Sequence, residues 1–284
     1  LEQRKSIALS SEDRIKKLIP IFEAAKVLNV LSTVEDGDKQ QFLLDEAISC
    51  YEHIINEKFF SREIYNNLGA AYLMKAINLV DSDDFPYLLP VVQDDDSRLY
   101  DIATTRGGTK GFGGEEVQEL LAKAEQYFEH AKNTDKNYIP AYINLANAQI
   151  LMKKERYAML EAEEAYELAK DAENSRLMAS ALESWGIALA INEKKEDAME
   201  KLAEAGAAGS KFSAYNTARL NNEPLATEDD MSLSMGFLSA EMELVNGQNF
   251  RDYLSANGTD FDVTQRLQDQ SAVVGMKKEA NGDL

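Results

Sequence analysis

Four sets of residues in this chain have the types that chemistry needs. His53 and His130 are its two imidazoles, Cys50 is its single thiol, Asp94, Asp95 and Asp96 form an acidic run, and five glycines gather between Arg106 and Gly114. A zinc site takes three or four ligands from His, Cys and carboxylates. The two histidines occupy equivalent places in two similar stretches, so a repeated structural position explains them better than a metal pair. Cys50 and His53 are three apart and would be neighbours on a helix. A Cys–His nucleophile pair also needs an orienting group and an oxyanion site, which a helical packing position does not supply, so all three residues are assigned to packing. The aspartates lack the glycine and closing glutamate of a calcium loop and read as a solvated loop. A phosphate cradle requires Gly-Lys followed by Ser or Thr, whereas Lys110 is followed by Gly111. No strand precedes the cluster, so the dinucleotide fingerprint fails too, and the glycines read as a hinge. The expectation is a chain that is not an enzyme, with no cofactor and no metal.

Bulk composition narrows the partners. The chain has 284 residues, 44% of them hydrophobic, enough for a sizeable core. Its formal net charge is −20, from 50 acidic against 30 basic residues. That sign repels phosphate backbones and anionic membrane surfaces, which argues against nucleic acid. No apolar run approaches a bilayer span, so no membrane insertion is expected. A lone cysteine rules out an internal disulfide and slightly favours an intracellular protein. The chain begins at Leu1 rather than Met, which leaves room upstream for a signal peptide or a whole domain.

The elements that would position any site are visible as a repeat. Ala47, Tyr51, Glu52, His53, Tyr65 and Leu68 are matched by Ala124, Phe128, Glu129, His130, Tyr142 and Leu145, each pair separated by the same step of 77 (47 to 124, 68 to 145). Tyr65, Leu68, Gly69 and Tyr72 share one helical face, and Ala47, Tyr51 and Ile54 share another. The pattern returns as Tyr142, Leu145 and Ala146 with Ala158, Ala162 and Ala165. It returns again as Leu182, Trp185, Gly186 and Leu189 with Ala198, Leu202 and Ala205. Small residues let two helices approach while large ones fill the gaps beside them.

Over roughly residues 40–206 this resembles the tetratricopeptide repeat, whose unit is about 34 residues. The resemblance implies an all-α, right-handed superhelix of about four helix pairs. About 43 extra residues then sit inside the second unit. Residues 1–222 form the solenoid, with the insertion at about 81–114 and a capping helix at about 210–222. Residues 12–33 read as a long first helix that Pro20 should kink or break. Residues 223–284 are a non-repeat extension, partly extended or irregular, with Met231, Leu233, Met235 and Phe237 alternating with small residues. Trp185 falls at a core position of its unit and is expected to pack rather than bind.

The resemblance also implies that first helices line a concave groove. Asn67, Asn144 and Asn147 stand where the family often holds a ligand's backbone. Leu73, Met74, Ile150, Leu151, Ile187 and Ile191 are expected near the same face. Chaperone-binding members carry a basic clamp, but Asn66, Ala70, Ser180 and Ser184 occupy the corresponding places here. The groove therefore reads as apolar and amide-rich, suited to an extended protein or peptide segment, including the chain's own insertion or tail, and a small-molecule ligand is not expected. The function expected is a non-catalytic interaction scaffold. The alternative is a regulatory or substrate-docking segment of a larger multidomain enzyme such as a protease.

Overall fold

The computed structural model describes residues 11–33, 37–80, 85–93, 98–100, 113–210 and 212–223. Among them the chain is all-helical apart from one short hairpin. The helices are α1 (Ser11–Ser32), α2 (Gly37–Asn56), α3 (Arg62–Leu79), α4 (Glu115–Thr134), α5 (Ile139–Leu151), α6 (Glu155–Asp171), α7 (Ser175–Ile191), α8 (Lys195–Ala207) and α9 (Ser213–Leu220). Strands β1 (Pro90–Val92) and β2 (Arg98–Tyr100) pair antiparallel, with Val91 opposite Leu99. Each helix packs on the next along the chain, and the odd-numbered helices also touch one another in succession, from α1 to α9. The expected tail, including Met231 to Phe237, and the glycines from Gly107 to Gly111 lie outside the described residues, as do Asp94, Asp95 and Asp96.

The 77-residue repeat is carried into burial. Helices α2 and α3 correspond to α4 and α5 at that step. Ala47 and Ala124, Tyr51 and Phe128, and Leu68 and Leu145 are all fully buried, while Glu52 and Glu129 are both half-buried. His53 and His130 are both exposed, so neither is a core position, while the His130 ring packs at the surface 5.2 Å from the ring of Tyr65. Each lies two residues past a buried aromatic, and two helical residues rotate a side chain about 200° away from the core. Cys50 is buried.

Close approach between helices depends on glycine at two points. A Cβ added at Gly69 of α3 would lie 2.6 Å from the Phe128 ring of α4, and one at Gly186 of α7 would lie 2.8 Å from Leu202 of α8. Phe128 thus fills the hollow that the missing side chain leaves. Trp185, beside Gly186, is half-buried rather than a core residue. Its ring sits 6.1 Å from Tyr166 of α6, with the Lys201 ammonium 4.9 Å above it. Trp185→Ala is therefore expected to cost about 1–2 kcal/mol in urea unfolding, below the about 3–5 kcal/mol of a fully buried aromatic.

Helix α1 continues through Pro20, so the break that the proline could have caused does not occur. The ring removes one backbone donor, but Leu18, Ile21, Ala24, Ala25, Val27 and Leu28 are buried along this helix, and their burial outweighs one lost rung. The tight links between helices share one device. Lys153, Glu173, Glu193 and Gly209 take positive φ, and the following residue donates to the carbonyl five positions back, as in Lys154 to Gln149 and Asn174 to Ala169. This arrangement satisfies the last carbonyls of each helix. At the α3–α4–α5 corner, Arg62 bonds Glu63 and Asp135. Burial raises the Glu63 carboxyl, but Arg62 and neighbouring donors outweigh it and hold the group below its ordinary value.

Candidate functional site

Helices α3, α5 and α7 have an unusual property: they are buried nearly all round. Every residue of α5, from Ile139 to Leu151, is buried, as are most of α3 and α7. Helices α4, α6 and α8 bury only one stripe each, such as Ala158, Ala162, Ala165 and Ala169 on α6. A helix buried on both faces must be covered from both sides. The even-numbered helices supply one cover. The insertion supplies the other, since β1 touches α3, α5 and α7. Phe85, Leu88, Leu89, Val91 and Val92 of the insertion are buried, and Gln93 is 1% exposed.

Sealing a polar backbone against helices leaves its N–H and C=O groups without water, and each must be met. Asparagine side chains meet them. Leu88 donates its N–H to Asn216 Oδ1 (2.8 Å) and accepts at its carbonyl from Asn216 Nδ2 (3.0 Å). The Pro90 carbonyl accepts from Asn147 Nδ2 (3.0 Å). Val92 donates its N–H to Asn144 Oδ1 (2.8 Å), and its carbonyl accepts from Asn144 (2.6 Å) and Asn66 (3.0 Å). The Gln93 carbonyl accepts from Asn66 (3.0 Å), and its side-chain oxygen accepts from Asn29 (3.2 Å). Residues 88, 90 and 92 are gripped at every second position, as an extended chain requires, and the Gln93 carbonyl adds a further contact where the segment ends. The intervening Val91 faces Leu99 of β2. Asparagine carboxamides thus stand where a second neighbouring strand would be.

These asparagines are held in turn. Asn144 Nδ2 donates to Asn66 Oδ1 (2.9 Å), the Ser184 hydroxyl donates to Asn147 Oδ1 (2.8 Å), and Asn216 Nδ2 donates to Glu183 Oε1 (2.8 Å). The other Glu183 oxygen accepts from the Ser210 hydroxyl. Glu183 is 1% exposed and is the single charged side chain bonded into this network among the described residues. Burial also raises the Tyr87 phenol above its ordinary value at the margin of the segment.

The residues expected on this face divide. Asn144 and Asn147 bond the insertion backbone. Asn67 does not: its Oδ1 accepts from Asn66, its carbonyl accepts from Asn29, and its Nδ2 is buried with no hydrogen-bond partner among the described residues. Leu73, Met74, Ile150, Leu151 and Ile187 are fully buried in one apolar cluster with Phe85, Leu89 and Val91, and Ile191 packs against its edge half-buried. Asn66, Ser184 and Asn216 were not singled out as contacts. The first two stand at the places compared with a basic clamp, so their position carried a signal. Asn216, 128 residues from Leu88, carried none. Among the described residues no helix is long and apolar enough to cross a membrane. No protein-family model and no curated protein matches the chain.

Proposed function

We propose that this chain is a tetratricopeptide-type α-solenoid whose function is to hold an extended polypeptide segment across the concave face of its first helices, without catalysis. The observation that carries this reading is the grip on Leu88, Pro90 and Val92 through their backbones. Capture through N–H and C=O groups suits any extended chain, and the apolar cluster behind it adds selection by side chain. The segment's polar partners come from α9 (Asn216), α5 (Asn147 and Asn144), α3 (Asn66) and α1 (Asn29), with Ser184 of α7 bracing Asn147. Six extended residues span only about 20 Å, whereas five helices side by side in a flat layer would span about 40 Å. Convergence of all five on one short segment favours a curved layer, as a superhelix has.

At rest the chain's own insertion fills the face. A partner segment of similar shape takes its place by exchange, against a resident strand whose tether gives it an effective concentration of about millimolar. The test uses the chain with residues 83–112 replaced by a short Gly-Ser linker, together with a labelled peptide of residues 85–93. Saturable binding that Asn144→Ala weakens about tenfold or more is expected. Leu89→Asp in the otherwise intact chain provides a second host, in which the resident segment is loosened but present. Retained helical circular dichroism with no peptide binding in either host would sink the reading.

A further inference from the structure

The grip on the three alternate residues is not uniform, and the exception falls on a proline. At Leu88 and Val92 one carboxamide takes both backbone groups: its oxygen accepts the N–H and its nitrogen donates to the C=O. At Pro90 the arrangement is half of this. Asn147 Nδ2 donates to the Pro90 carbonyl, but Asn147 Oδ1 is already engaged by the Ser184 hydroxyl at 2.8 Å. Residue 90 lies two positions from each flanking grip, so its backbone nitrogen turns toward the same helices as theirs. Proline has no hydrogen there to donate. Any other residue would bring an N–H to a buried place where the matching acceptor, Asn147 Oδ1, already holds the Ser184 hydroxyl on one of its two lone pairs, so that the added donor would have to share it. Asn147 and Ser184 are both 0% exposed, so water is not at hand to replace it.

We infer that Ser184 and Asn147 form a proline-selecting centre. The segment that this face accepts is uncharged and extended, with proline between aliphatic residues in the pattern of Leu88-Leu89-Pro90-Val91-Val92. The identification of the partner's chemistry rests on the peptide-holding function proposed above, whereas the selection of proline by the resident segment stands on the bonds alone. The centre works by exclusion. It adds little attraction to proline and penalises every residue that carries an amide hydrogen, which is how a discriminating site is commonly built. The apolar surroundings of these side chains agree with this class of segment, since a lysine or carboxylate at 89, 91 or 92 would enter an apolar cluster unpaired.

The test separates the missing donor from the stiffness of the ring. In the intact chain, Pro90→Ala is expected to lower the folding equilibrium constant about tenfold or more, from a buried N–H that must share its acceptor with Ser184 together with ring entropy. In a Ser184→Ala background, where Asn147 Oδ1 is free to accept that N–H, the same change is expected to cost only about threefold, the ring contribution alone. Urea unfolding of the four chains reads the coupling. Equal losses in both backgrounds would overturn the proline-selecting centre. A second measurement uses three labelled peptides of residues 85–93 on the Leu89→Asp chain, with proline, alanine or N-methylalanine at the sixth position. Proline and N-methylalanine are expected to bind alike, and alanine about tenfold more weakly. Alanine and N-methylalanine binding alike would overturn the inference. If none of the peptides binds, the peptide-holding function fails, and the four-chain comparison still decides the proline centre.

Discussion

Asn144→Ala is expected to destabilise the chain by about 3–4 kcal/mol, the largest effect of any single polar truncation on the inner face. The side chain makes three buried hydrogen bonds, with the Val92 N–H, the Val92 carbonyl and Asn66 Oδ1. Alanine leaves the Val92 N–H with no acceptor, and an orphaned buried group costs about 1–3 kcal/mol. The Val92 carbonyl keeps Asn66, so its loss is partial. Asn66 Oδ1 loses a donor as well. The cavity adds little, because three atoms are removed beside a strand that can settle. Asn67 is the matched control. It lies at the equivalent position one step of 77 earlier, yet its Nδ2 has no partner to lose. Asn67→Ala is expected to cost about 1 kcal/mol, for the bond from Asn66. Urea midpoints at unchanged m-value decide the comparison. Equal costs for the two substitutions would mean that the insertion backbone does not depend on this grip.

Phe128→Ala is expected to cost about 3–5 kcal/mol, the largest loss from any single apolar truncation named here. The ring is fully buried between α3 and α4 and fills the space left by Gly69. The reverse change tests the same contact. Gly69→Ala would set a methyl group 2.6 Å from the ring and is expected to cost about 1–3 kcal/mol by overpacking. Combining Gly69→Ala with Phe128→Leu should cost less than the two single changes added together, because the smaller side chain makes room for the methyl. A double-mutant cycle in thermal or urea unfolding reads the coupling. Strict additivity would mean that the two helices are spaced by other contacts, and the repeat would lose its steric explanation.

Histidines, tryptophan and proline show where residue type misleads. His53 and His130 repeat because their helices repeat, but their position two residues past a buried aromatic keeps them out of the core, His130 lying against Tyr65 at the surface. Trp185 occupies a repeated place too, yet Gly186 next to it makes the close helix contact, so the indole lies over Tyr166 and under Lys201 at the margin. Pro20 carries a local penalty that the burial of one helix face exceeds. The links at Lys153, Glu173 and Glu193 take left-handed backbone without glycine, so no residue type marked them. In each case the local preference is worth about 1–3 kcal/mol, and the packing around it decides the outcome.

What the sequence determined by itself is the helix pairing and its register. The step of 77, the small residues at Gly69 and Gly186, and the single buried stripe along α4, α6 and α8 are local in origin. They follow from a period of 3.6 residues and from the volumes of side chains that must fit between two cylinders. The non-helical character of residues 85–93 is legible too, since Pro86 and Pro90 do not fit a helix interior. What only the tertiary structure decided is which polar side chain answers which backbone group. Asn66 and Asn67 are adjacent and chemically identical, and only the path of β1 makes the first a grip and leaves the second behind it. The pairing of Leu88 with Asn216 joins residues 128 apart, through a helix whose place depends on all the packing before it. A buried backbone group takes whatever partner the folded chain brings within about 3 Å, and neither spacing nor composition encodes that distance.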